Sequence, residues 1–202
     1  FFGRNFIMMA IPVILLLLPL LLMNPVSTGM YVTGFTASSS EILLIFWFQT
    51  VFGNVYSAIG LIFAIFMGGL AVGSVAGNRI KTSGKHHFAG QIFLAIYMLM
   101  LPLLWKSGTG QLSDFSAWLL FIPVLLVPSL LTGFLYVTST LQYPSDRLNA
   151  ASSIYAADLW GSALGVILIT FILVPVFGVQ MSCLLLAGLN GLSALFLLLS
   201  RK

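Results

Sequence analysis

Two carboxylates, Glu41 and Asp158, lie inside hydrophobic stretches long enough to cross a bilayer, and neither stretch contains a Lys or Arg. A charged side chain in hydrocarbon costs at least about 2.5–3.5 kcal/mol on insertion scales, so it is normally turned toward a protein interior or a wet cavity. Two chemistries fit Glu41. It is either a cation or proton site, with Ser38, Ser39 and Ser40 as additional oxygens, or a neutral acid hydrogen-bonded to a neighbouring helix. Unpaired in a low dielectric, the neutral form is favoured. Asp158 heads a second polar group. Tyr155, Asp158, Ser162 and Gly165 fall on one face by helical spacing, a stripe suited to packing on another helix or lining a narrow path. Asp158 is expected two turns into its helix, about 12 Å deep at 1.5 Å per residue.

The remaining reactive residues offer less. His86 and His87 are expected to close a loop beside Lys85, and adjacent histidines make a poor metal pair without further ligands. With no histidine expected on a helix, haem ligation and a Ser or Cys hydrolase triad are both set aside. Cys183, the single cysteine, allows no intrachain disulfide. Gln49, Asn54, Tyr56 and Gln91 read as polar groups near helix ends. No metal or cofactor is expected.

The elements that hold these residues follow from composition. Of 202 residues 60% are hydrophobic and 6% charged, where a soluble domain would carry about a quarter charged. That predicts an all-α integral membrane protein. Apolar runs of about 20 residues place seven helices, near 6–23, 31–52, 55–77, 88–105, 117–137, 150–177 and 179–200. Alternate loops then segregate the basic residues. Arg79, Lys81, Lys85, Arg147, Arg201 and Lys202 fall on one side, Arg4 and Lys106 on the other. The positive-inside rule makes the first side, with the C-terminus, cytoplasmic. The net charge of +4 is therefore read as orientation and gives no reason to expect nucleic acid.

Small residues recur every fourth position: Gly69, Gly73 and Gly77, then Gly161 and Gly165, then Ala187 and Gly191. That spacing lets helix backbones approach closely and predicts tight packing within the bundle. Pro12, Pro19, Pro102, Pro123 and Pro128 are expected to bend their helices.

Two stretches resemble a known family. One comprises Val32–Phe35, Glu41, Phe52–Tyr56, Met67–Ser74 and Gly77–Arg79; the other comprises Ile154–Asp158, Gly161, Gly165 and Val174–Gly178. Together, over about residues 31–200, they resemble the membrane domain of spermidine-synthase-like (polyamine aminopropyltransferase-like) multi-helix proteins. The resemblance implies a six-helix bundle similar to half of a major-facilitator transporter, here residues 31–202, preceded by an extra helix and connection over 1–30. It does not bring the enzymatic activity with it. No glycine-rich nucleotide loop follows a strand, and only four acidic residues are present. The start at Phe1 rather than Met reads as a piece of a longer polypeptide.

The expected function is a non-catalytic membrane domain or subunit that anchors or scaffolds a larger assembly, its partners being the lipid bilayer and other subunits or a missing domain. The alternative is a transporter or half-transporter for a small cationic, polyamine-like solute or a proton-coupled substrate, using Glu41 and Asp158. Two acids and no intramembrane base suit a cation, but one six-helix unit is half of such a pathway. A bacterial or archaeal inner membrane is the expected location.

Overall fold

The computed structural model describes residues 23–53, 56, 58–80, 84–108, 114–143 and 146–199. These residues are all-helical, without a strand. The helices are α1 (Pro25–Phe52), α2 (Ile59–Arg79), α3 (Gly84–Gly108), α4 (Asp114–Gln142), α5 (Arg147–Leu168) and α6 (Gly178–Leu199), with a wider helical stretch, Ile169–Phe177, joining the last two. Five helical stretches are long and apolar enough to cross a membrane. The expected first helix, 6–23, lies outside the described residues except for Met23, which is a bend.

The expected sixth and seventh helices form one uninterrupted run, Leu148–Leu199. Straight, that run would extend about 78 Å at 1.5 Å per residue, far beyond the ~30 Å hydrocarbon core. It is not straight. Pro175 removes a backbone donor inside the wider stretch, and Gly178 adopts φ 77 and ψ 169, a non-helical conformation suited to glycine. Elsewhere, Pro25 opens α1, and Gly53 closes it at φ 71 by donating its N–H to the Gln49 carbonyl at 3.0 Å.

Three helix pairs dominate the packing: α1 with α5, α2 with α4, and α3 with α6. α1 touches every other helix and is the most buried of the candidate spans. Exchange the first three helices for the last three, and this pairing maps onto itself. The register follows at residue level. In one pair the Tyr31 and Phe35 carbonyls sit against Gly161 and Gly165, and the Asp158 carbonyl sits against Gly34. In the other, the Leu130 and Phe134 carbonyls sit against Gly73 and Gly77, and the Leu70 carbonyl against Gly133. Residue numbers rise together across both contacts, so both pairs are parallel. Burial repeats the pattern. α2 buries Ile62, Phe66, Gly69, Gly73 and Gly77, and α5 buries Ala150, Ile154, Ala157, Gly161 and Gly165 at the same intervals. The glycines matter because a Cβ at any of these close approaches would strike the partner helix. Gly191, by contrast, faces open space.

The two ends of the bundle are built differently. One holds an aromatic cluster in which Trp47 packs on Trp105 and Phe121, and Phe48 on Trp118 and Phe121, with ring centroids 5.1–6.4 Å apart. The other is tied by polar contacts. Cys183 is fully buried on α6, which makes it a reporter of packing. Maleimide labelling of the folded protein is expected to be negligible and to become complete once detergent unfolding opens the bundle.

Candidate functional site

α1 turns most of its polar side chains inward, where neighbouring helices meet them. Gln91 of α3 donates from Nε2 to the Gly29 carbonyl and to Thr33 Oγ1, both at 2.7 Å. Asn190 of α6 donates from Nδ2 to Thr36 Oγ1 at 2.7 Å. Each pairing spares a buried hydroxyl or carbonyl the cost of desolvation without a partner. Gln91→Leu should therefore destabilise the bundle by about 1 kcal/mol, read as a lower thermal midpoint in detergent.

His87 departs from its expected position. α3 begins at Gly84, so both histidines lie in its first turn rather than in a loop, and His87 is 1% exposed. Its Nδ1 is 2.7 Å from Ser139 Oγ on α4, and its Nε2 lies against Gly29 of α1. A glycine is needed at position 29 for the ring to fit. The sequence signal was faint, because a Gly-Lys-His-His start looks like a loop until the helix is seen to begin there. Among the described residues no group of three His, Cys, Asp or Glu could hold a metal ion.

The two carboxylates occupy a different face. Between Ser27 and Leu44 every residue of α1 is buried except Ser38, Glu41 and Ile42. Gly34, Ser38, Glu41 and Ile45 follow one another at i, i+4, i+7 and i+11, a single stripe along the helix. Asp158 of α5 sits over Gly34 at one end of that stripe, with Ser162 beside it. Glu41 lies about 10 Å further along at 1.5 Å per residue. The acids thus share a stripe at different depths and do not form one cluster. Both are half-buried, and Glu41 Oε1 and Asp158 Oδ1 are buried atoms with no hydrogen-bond partner among the described residues. Tyr136 of α4 is within electrostatic reach of Asp158 and Tyr155.

The stripe expected on α5 divides. Asp158, Ser162 and Gly165 turn toward α1, whereas Tyr155 is 53% exposed at the rim. Because the helix starts at Arg147, Asp158 is about 16 Å from its first residue at 1.5 Å per residue, deeper than the 12 Å expected from a start near residue 150. Gly34, the seat of Asp158, was visible in the sequence only as part of the Val32–Phe35 stretch. Gly69 lies against Ser129, and Gly73, Gly77, Gly161 and Gly165 against partner backbone.

No protein-family model, curated protein or solved structure matches the chain. Fold and site define a class alone: a chain whose described residues are all-helical, with several helices long and apolar enough to cross a membrane, consistent with a multi-pass membrane protein.

Proposed function

We propose that this chain is a non-catalytic six-helix membrane unit working within a larger assembly, and that Glu41 and Asp158 handle a cation or protons there. The observation that supports the reading is the stripe on α1 that carries half-buried Glu41 and is met at Gly34 by Asp158 of α5, each carboxylate having an oxygen that lacks a partner among the described residues. Counting Leu148–Leu199 as two crossings gives six, arranged as two sets of three related by exchange. Transporters are commonly built from such repeats, with their sites near the repeat interface. One unit presents the stripe on its side, so a second unit, either another copy or a separate subunit, would close it. The resemblance of residues 31–200 to the spermidine-synthase-like membrane domain agrees with a half-transporter layout, and a small polyamine-like cation remains within the proposal.

The test is flux in reconstituted vesicles. Wild-type protein is expected to dissipate an imposed proton or small-cation gradient, and Glu41→Gln with Asp158→Asn to abolish that flux at unchanged yield. If the variants lose yield and thermal stability and the wild type shows no flux, only the anchoring and scaffolding role survives.

A further inference from the structure

The exchange relation between the two halves separates what packs from what does not. Asp158 in α5 corresponds to Leu70 in α2, since each offers its backbone carbonyl to a glycine of the partner helix, Gly34 and Gly133 respectively. Each also stands three residues before the glycine that meets the partner's carbonyl, Gly161 and Gly73. The same register matches Ser162 with Ser74. Ser74 Oγ donates to the Leu70 carbonyl at 2.8 Å and reaches the Gly133 carbonyl at 3.3 Å, so it is a packing group. Tyr155 matches Met67, and both are exposed, at 53% and 60%. Glu41 matches Thr140, whose hydroxyl is occupied by its own helix through the Tyr136 carbonyl. Down this face the two pairs agree in glycines, serine and exposure. They disagree at the carboxylate.

The α2–α4 pair therefore makes the same close contact with a leucine in that place. The backbone contact does not require a carboxylate at this position, since Leu70 makes it with a hydrocarbon side chain, yet the acid stands in an apolar segment where its charge is costly. We infer that Asp158 is a reversible proton-binding residue, whose carboxylate takes up one proton and gives up one negative charge without being needed for the helix pair to form. This rests on the cation- or proton-handling reading above and narrows it to protons at this acid. The atoms nearest Gly34 are the Asp158 carboxylate and carbonyl and the Ser162 hydroxyl. That is a poor cage for a hard metal cation, which takes six or more oxygens, but sufficient for a proton. The titratable group within electrostatic reach of Asp158 is Tyr136 from α4; Glu41 on α1 lies about 10 Å further along at 1.5 Å per residue, and Tyr155 on its own helix is exposed. α1 and α4 contain no Lys or Arg, and α5 has only Arg147 at its start, so a proton is the local means of neutralising the charge.

The experiment gives Asp158 the side chain of its counterpart. Asp158→Leu is expected to extract as a monodisperse species with a thermal midpoint within about 2 °C of wild type. In pH-difference infrared spectra of the full chain, the protonated-carboxyl C=O band is expected to lose one component in Asp158→Leu and Asp158→Asn, and to keep that component in Glu41→Gln. Failure of Asp158→Leu to fold, or a carboxyl band unchanged in both Asp158 variants, overturns the inference. The transport reading fails separately: a titrating Asp158 in a stable protein that conducts nothing would leave the proton site standing and remove the flux.

Discussion

Gly161→Val is expected to eliminate the folded protein. The glycine lies directly against the Tyr31 carbonyl and the Phe35 backbone of α1. The atoms in the way belong to helix backbones, which cannot rotate aside as a side-chain tip can. Overpacking of an ordinary core costs about 1–3 kcal/mol. Here the two helices must separate along their contact, and total stabilities are only about 5–15 kcal/mol. Gly73→Val, which drives a side chain into the Leu130 carbonyl of α4, is expected to do the same, because it attacks the equivalent contact of the other pair. Gly68→Ala and Gly188→Ala are the controls, since nothing lies near either position, and alanine there should leave yield and thermal midpoint unchanged. Size-exclusion profiles of detergent extracts check all four. A monodisperse Gly161→Val protein would mean that α1 and α5 do not pack as described.

The second large effect is functional. Glu41→Gln combined with Asp158→Asn is expected to reduce proton or cation flux to the level of empty vesicles while the protein remains folded. Both changes are nearly isosteric and remove only the ability to carry charge. The stability half of this prediction follows from the structure. Neither carboxylate anchors a neighbouring helix through the oxygen that is left unpartnered, and at position 158 the equivalent helix pair manages with Leu70. Removing a buried charge from an apolar segment should if anything raise the thermal midpoint.

The all-helical class and the apolar character of the spans could be read from composition and run length, because apolar segments of that length favour helices that satisfy their own backbone, but the number of helices could not, the expected sixth and seventh forming one run, Leu148–Leu199. Glycine spacing was equally visible, since Gly69, Gly73 and Gly77 stand out in any apolar stretch. What each glycine meets was not. Nothing in the spacing says that Gly161 faces Tyr31 or that Gly73 faces Leu130, because pairing is decided by how six helices share one interior. The relation between the halves stayed hidden for the same reason. It is held by backbone carbonyls against glycines, and the residues that supply those carbonyls differ between the pairs, Tyr31 in one where Leu130 serves in the other, and Asp158 where Leu70 serves. His87 reads as a loop residue because a histidine beside lysine and a second histidine has the local character of a loop. Its burial depends on two distant residues, Gly29, which makes room, and Ser139, which hydrogen-bonds the ring. The carboxylates were conspicuous from the start.

The measurement that bears most directly on the central claim is proton flux into vesicles containing wild-type protein, Asp158→Leu or Asp158→Asn, each first shown to be folded with an unchanged thermal midpoint. Flux in the wild type and none in either variant is the predicted result. Equal flux in all three would contradict it, and variants that cannot be obtained folded would contradict it by returning Asp158 to the architecture of the bundle.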